Sequence, residues 1–262
     1  MNLELTNKTA LVSGSTKGIG FAIASQLAAE GARVIVNGRS ESTVNSALEQ
    51  IRKAEPKAKV EGFAGDLATA TATEELLKLF PEVDILVNNL GIFEPKPFGE
   101  ISDEEWRRFF EVNVLSGVRL SRAYLPGMKE RNWGRVVFIS SESAINTPAE
   151  MIHYGMTKTA QLAVSRGLAQ DCGGTGITVN SILPGPTHSA GVEDFVKQLG
   201  GGQSFEAFEK EFFKSVRPSS LLKRFETPDE VARLVTFVCS PLASAITGAA
   251  LRVDGGVVSS CF

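Results

Sequence analysis

Strand-sized apolar runs alternate with longer helix-forming stretches along the whole chain. The runs cover 8–13 (KTALVS), 33–37 (RVIVN), 59–65 (KVEGFAG), 83–87 (VDILV), 135–140 (RVVFIS), 177–185 (ITVNSILPG) and 249–253. Short, rich in Val and Ile, and bounded by Gly, Asn and Asp, they read as strands, and the near-continuous apolarity of 83–87 suits a parallel strand covered on both faces. The stretches between them read as helices over about 21–30, 42–54, 102–128, 149–171, 205–215 and 228–239, with a shorter one opened by Thr71 and a further amphipathic candidate at 192–199. Capping boxes punctuate this pattern at Thr71–Glu74, Ser102–Glu105 and Thr227–Glu230, the last with Pro228 at the first helical position. Strands alternating with helices from end to end predict an α/β fold: one doubly wound parallel sheet with helices on both faces. With no linker, repeat or low-complexity tract, residues 1–262 read as a single domain.

Composition narrows the function classes. The 262 residues are 43% apolar, enough for a large core, and carry a net charge of −3. Acids and bases are interspersed without a basic run, which argues against nucleic acid as a partner. No charged leader precedes a long apolar segment and no apolar run reaches membrane-spanning length, so a soluble, cytoplasmic protein is expected. Three cysteines (Cys172, Cys239, Cys261) without Cys-x-x-Cys spacing and two histidines (His153, His188) predict no metal site and a reducing compartment.

Candidate chemistry gathers at the ends of the strands. The first strand runs into Gly14-Ser15-Thr16-Lys17-Gly18-Ile19-Gly20 and then a helix-forming run. In that context a turn without side chains lets a pyrophosphate approach backbone N–H groups at the positive end of a helix. The second strand ends in Arg39-Ser40 with no acid in 33–40. An acid there would bind ribose hydroxyls, whereas Arg39, with Lys17, suits a 2′-phosphate, so NADP(H) is favoured over NAD(H). After the fifth strand come Ser141, Tyr154 and Lys158. Tyr154 and Lys158, four residues apart, share one helix face, and a nearby ammonium is expected to bring the phenol toward working pH. The segment at about 186–226, rich in Phe and interrupted by Gly200–Gly202, reads as a substrate lid on a rigid scaffold. Glu142 and Glu150 either select a polar or basic group or face water, and Lys214 and Arg217 either meet an acidic substrate or are surface cations.

With these residues in place, the chain resembles the classical short-chain dehydrogenase/reductase family over essentially its whole length. The resemblance is carried by Gly14, Gly18, Gly20, Asp66-Leu67, Asn88-Asn89-Leu90-Gly91, Asn113, Ser141, Tyr154, Lys158 and Pro184-Gly185. It implies a seven-stranded Rossmann-like sheet, hydride exchange between a nicotinamide and a small-molecule carbonyl or alcohol, and a homo-oligomer, usually a tetramer. By the same resemblance Tyr154 is the general acid or base, Lys158 lowers its pKa and holds the nicotinamide ribose, Ser141 polarises the substrate oxygen, and Asn113 holds a water in a proton relay. The cofactor would meet the glycine turn (Gly14, Ser15, Thr16, Lys17, Gly18, Ile19, Gly20), Arg39 and Ser40, Asp66 and Leu67 at the adenine, Asn89 and Gly91 at the adenosine ribose, and Pro184, Gly185 and Thr187 at the carboxamide. Leu90 departs from the family's usual alanine, which predicts local repacking. The long 184–226 segment sets the chain apart from compact acyl-carrier-protein reductases. Alternative readings are an NAD-dependent sugar or polyol dehydrogenase and a non-catalytic cofactor-binding regulator.

Overall fold

The computed structural model describes residues 2–188 and 204–261; the candidate helix at 192–199 and the glycines at 200–202 lie outside them. Seven strands, β1 (Thr9–Val12), β2 (Arg33–Gly38), β3 (Lys59–Ala64), β4 (Ile85–Asn88), β5 (Gly134–Ile139), β6 (Ile177–Pro184) and β7 (Ala250–Val253), form one sheet in the order β3-β2-β1-β4-β5-β6-β7. Every pairing is parallel. Alternate residues of each strand enter opposite cores, as a two-residue period requires. Ala10, Val12, Val34, Val36, Val137 and Ile139 pack with one set of helices, and Leu11, Ile35, Leu86, Val136 and Phe138 with the other.

On the first face lie α1 (Gly18–Ala29), α2 (Glu41–Ala54) and α8 (Pro228–Val238), which contribute Ile23, Leu27, Ile51, Val231 and Val235. The second face is covered by α3 (Ala70–Leu79), α5 (Ser116–Glu130) and α6 (Ile152–Asp171), through Leu76, Leu120, Met128 and Ala169. α4 (Asp103–Phe110) precedes α5, and α7 (Phe205–Ser215) belongs to the expected lid segment. No helix among the described residues is long and apolar enough to cross a membrane.

Two helix starts follow the sequence pattern and one does not. Ser102 and Glu105 close a capping box on α4, and Thr227 and Glu230 another on α8. In α3 the cap is Thr69 instead of Thr71: the Thr69 hydroxyl accepts from Ala72 N at 3.2 Å. The chain leaves β3 through a turn in which Asp66 accepts from Ala68 N, so Thr69 is the residue still extended and Thr71 is already helical. The long helix expected through Asn113 is also interrupted, by a π turn at Glu111–Leu115 between α4 and α5.

The buried face of α8 backs α1, the helix that leaves the glycine turn. Thr227→Ala removes the hydroxyl that accepts from Glu230 N. The variant should lose about 1 kcal/mol of stability. A urea titration should show a lower midpoint with an unchanged slope.

Candidate functional site

The strand order reverses direction between β1 and β4. In open α/β sheets the crevice beyond the carboxyl ends of the strands at such a reversal is where ligands sit. Here that crevice is a cavity of about 940 Å³. One end is bordered by the glycine turn and the other by α6 and the described part of the lid.

The glycine turn is shaped by a clamp across β1 and β4. Ser13 Oγ accepts from the backbone N–H groups of Asn89 and Leu90 at 3.0 Å each, and Asn89 Nδ2 donates to the carbonyls of Ser13 and Gly14. Asn37, at the end of β2, completes it: its Oδ1 accepts from Gly14 N, and its Nδ2 donates to the carbonyls of Phe63 and Gly65. Gly18 has φ +58°, the left-handed region that favours glycine. At Gly20 a Cβ would lie 2.4 Å from Asn89 Nδ2 and 2.5 Å from Gly14 O, so no side chain fits. The result is a side-chain-free cradle at the start of α1, open to the cavity through Gly14, Gly18 and Gly20. Lys17 and Arg39 are exposed at its rim, and neither pairs with a carboxylate among the described residues.

Five of the residues expected at the cofactor lie outside the lining of this cavity, and their side chains make contacts within the protein. The Ser15 hydroxyl is fully buried, donates to Val12 O and accepts from Asn37 N. The Thr16 methyl fills the space above Gly38. Ser40 is the N-cap of α2. Asp66 holds its own turn, and Leu67 is core. Leu90, the departure from the family pattern, packs partly buried against the second core. Lys17, Gly18, Ile19, Gly20, Arg39, Asn89, Gly91, Pro184, Gly185 and Thr187 do line the cavity together with Ser141, Tyr154 and Lys158.

At the other end, α6 is locked onto the loop after β5. Ser140 Oγ donates to Lys158 O, and Thr159 Oγ1 donates to Ala144 O. Gly155 packs so closely that a Cβ would stand 2.4 Å from Thr147 Cγ2 and 3.0 Å from Ser143 O. Ser141 caps the short turn Glu142–Ala144, accepting from Ser143 N at 3.1 Å. The Lys158 ammonium is 5.6 Å from the Tyr154 ring centroid and donates to Ile139 O at 2.9 Å, the last carbonyl of β5. Phe93 meets the Tyr154 ring edge-on, with centroids 6.4 Å apart.

Burial sets the protonation of this pair. It pushes the Lys158 ammonium down to about 7 and the Tyr154 phenol up to about 12, against which a hydrogen bond with Ser141 works. Desolvation, the first cause for both groups, works against the expected shift of the phenol toward neutral pH. The phenol is held protonated, as a proton donor requires.

Asn113 sits just behind, in the π turn. Its Nδ2 donates to Ile92 O and Thr157 Oγ1, and its Oδ1 accepts from Ile92 N at 2.8 Å. Its side chain thus fixes the loop after β4 onto α6, and a Cβ on Gly91 would come 3.4 Å from Lys158 Nζ. The backbone carbonyl of Asn113 accepts from Gln161 Nε2 at 2.5 Å, and Gln161 Oε1 faces Lys158 Nζ at 3.4 Å. Gln161 was not singled out from the sequence. Its position, three residues after Lys158 and seven after Tyr154 on one helix face, is the signal that could have found it. Asn37 is the second such residue.

His153 is buried against Phe109, with ring centroids 4.0 Å apart, and no cluster of metal-ligating side chains occurs among the described residues. Of the two lid cations, Lys214 is exposed and near Glu211, whereas Arg217 is largely buried and paired with Glu142. α7 is held down by Phe225, whose ring lies 5.0–5.7 Å from those of Phe205, Phe212 and Phe213.

Residues 14–258 match the family profile described as enoyl-(acyl carrier protein) reductase. The uncharacterized oxidoreductase YvaG of Bacillus subtilis (strain 168) is 53% identical over 264 residues, covering all of both chains. That decides the family. The chain belongs to the short-chain dehydrogenase/reductase family of oxidoreductases. The D-beta-hydroxybutyrate dehydrogenase of Cupriavidus necator is 33% identical over 97% of this chain and 99% of its own. Among solved structures, L-sorbose reductase from Gluconobacter frateurii, complexed with NADPH and L-sorbose, superposes with a TM-score of 0.92 at 30% identity, covering 99% of this chain and all of the other.

A lysine whose folded-state pKa lies below its usual value binds its proton less well when folded. Between about 7 and the usual 10.5 the unfolded chain keeps the proton and the folded one releases it, so stability should rise with pH across that window. Lys158→Met should abolish this component. Thermal melts at pH 7, 8 and 9 should show the Tm of wild type gaining on that of the variant at each step.

Proposed function

We propose that the protein is an NADP(H)-dependent oxidoreductase that interconverts a small ketone or aldehyde and its alcohol. The observation that carries this reading is the placement of Tyr154, Ser141 and buried Lys158 in one cavity with the side-chain-free cradle of Gly14, Gly18 and Gly20. The cradle has the form a pyrophosphate needs, a bare backbone turn at a helix N-terminus, and the unpaired Lys17 and Arg39 at its rim suit the additional 2′-phosphate. When bound, the nicotinamide supplies the hydride to the carbonyl carbon or takes it from the alcohol carbon.

The chain's own residues do the rest. Ser141 donates a hydrogen bond to the carbonyl oxygen and orients it. Tyr154, protonated at neutral pH, gives that oxygen its proton as negative charge develops there. Lys158 would hold the nicotinamide ribose, and Gln161, itself bonded to the Asn113 carbonyl, keeps the lysine in place. Phe93, Phe208 and Phe212 give this end of the cavity an apolar wall. The NADPH complex of L-sorbose reductase supports the choice of coenzyme and of a carbonyl substrate. The expected small-molecule partner and cytoplasmic setting go with this reading, as does assembly into a homo-oligomer.

Two measurements test it. Tyr154→Phe should lower kcat for ketone reduction by about 10²–10⁴-fold while coenzyme binding, followed by protein fluorescence, stays intact; unchanged turnover would remove Tyr154 from the reaction and favour the regulatory reading. Arg39→Ala should weaken NADPH binding by about tenfold, the effect of roughly one charge-assisted contact, and leave NADH binding unaltered. Equal NADPH and NADH affinity in wild type would instead support the NAD-dependent polyol reading.

A further inference from the structure

The loop that leaves β6 borders the cavity through Pro184, Gly185, Pro186 and Thr187. Behind it, outside the cavity lining, lies Glu226, only 2% exposed. Its backbone N–H donates to Pro186 O at 2.9 Å, its carbonyl accepts from His188 N at 2.7 Å, and Thr187 lies alongside in a parallel bridge. The side chain reaches one residue further back. Oε2 accepts from Gly185 N at 3.3 Å, an N–H shared with Val253 O at 2.7 Å. Gly185 is also pressed against the exit of β7, where a Cβ would stand 2.8 Å from Asp254 Cα and Asp254 O. Thr187 Oγ1 donates to Gly185 O at 3.0 Å, so the cavity wall is tied through Gly185 to the carboxyl behind it.

The surroundings of that carboxyl favour its uncharged form. Oε1 is sealed in the interior with no hydrogen-bond donor among the described residues, and neither oxygen forms an ion pair there. Arg224, a cation that acts on it from the preceding turn, is committed to Glu230 by two hydrogen bonds of 2.7 and 2.9 Å. Asp254 after β7 and Glu230 on α8 act on it as like charges. His188, on the loop, meets Glu226 through its backbone while its ring lies against Phe205. A buried carboxylate without a counter-charge is costly, whereas the neutral acid is not. Burial accordingly pushes the group up to about 8; the Gly185 N–H opposes that rise and Asp254 adds to it.

Resting on the oxidoreductase reading above, we propose that Glu226 is a positioning residue for the coenzyme: as a neutral acid it props loop 184–187 at the nicotinamide end of the cavity, and its ionisation loosens that loop and weakens coenzyme binding. The cause is solvation. An ionised Glu226 gains more from water than from one long N–H contact, and water reaches it where residues 185–188 give way, since Gly185 is the group that Oε2 touches. The linkage is reciprocal: a coenzyme that seats the loop favours the proton-bound carboxyl.

The test is coenzyme affinity, for NADPH and for NADH, followed by protein fluorescence from about pH 6.5 to 9.5 in wild type, Glu226→Gln and Glu226→Ala. In wild type the dissociation constant should rise above about pH 8, by at most about tenfold per pH unit, the limit for one linked proton. Glu226→Gln, a neutral side chain of the same shape, should lack this component and so gain on wild type as the pH rises. Titration of the 2′-phosphate and of Lys158 is common to both proteins and cancels in the comparison. At pH 7 Glu226→Ala should raise the dissociation constant by about two- to tenfold with a smaller change in kcat, and Glu226→Gln should recover most of that loss. Melts without coenzyme carry their own sign: the folded carboxyl holds its proton more firmly than the unfolded one, so between 4.5 and about 8 wild type should lose Tm relative to Glu226→Gln. Parallel affinity curves for wild type and Glu226→Gln overturn the inference even if the melts diverge, because Glu226 then acts on stability alone. An unaltered affinity in Glu226→Ala also overturns it; if that variant does not fold, wild type and Glu226→Gln decide. In these cases the oxidoreductase reading stands. Binding of neither coenzyme to wild type at any pH overturns that reading and the inference with it.

Discussion

The site depends on how the ends of β1 and β4 are held where the sheet changes direction. Neighbouring strands on either side run outward from this point, so their connections leave in opposite directions and a crevice opens. A crevice is useful only if its floor is fixed. Ser13, Asn89 and Asn37 supply that fixation with partly buried hydrogen bonds linking the exits of β1, β2, β3 and β4. Without them the glycine turn, which has few side chains of its own to anchor it, would have no preferred course. The polar interior here therefore serves geometry at a place where apolar packing cannot.

At the opposite end the organising cost is desolvation. Lys158 is taken almost wholly out of water and offered a carbonyl, an amide oxygen and, among the described residues, no carboxylate. Such a lysine loses its proton far more readily than a solvated one. The phenol beside it is pushed the other way by the same burial. Two groups whose solution pKa values nearly coincide are thereby separated, with the phenol the firmer holder of its proton. Such divergence of neighbouring titratable groups is how one site separates their roles.

Much of the fold was legible in the sequence because a parallel sheet covered on both faces must be built from unbroken apolar strands, and all seven such runs became strands. Boundaries failed where two local motifs competed, as at Thr69 and Thr71: both precede helix formers, and only the turn at Asp66 decides between them. At the site, order along the chain was enough to bring Ser141, Tyr154, Lys158 and the glycines to one cavity. It could not tell which way a side chain points. Ser15 stands beside cavity-lining Gly14 yet turns into the interior. Gln161 carries no mark of its own, since an amide within a helix is ordinary until its partners are known. The Glu142–Arg217 pair joins residues 75 positions apart, which no local pattern reports.

The π turn at Glu111–Leu115 amounts to one residue more than an α-helix would need over the same rise. Each residue turns an α-helix by about 100°, so the surplus changes the face presented by everything on one side of it relative to the other. Phe109 is thereby free to follow the needs of His153 and the loop around it, while Leu120 and Tyr124 answer to the sheet. Asn113, at the junction, belongs to neither register, and its amide and its carbonyl reach two different partners on α6. A single inserted residue has thus divided what would be one rigid rod into two independently phased segments, with the polar junction between them meeting Lys158 across Gly91.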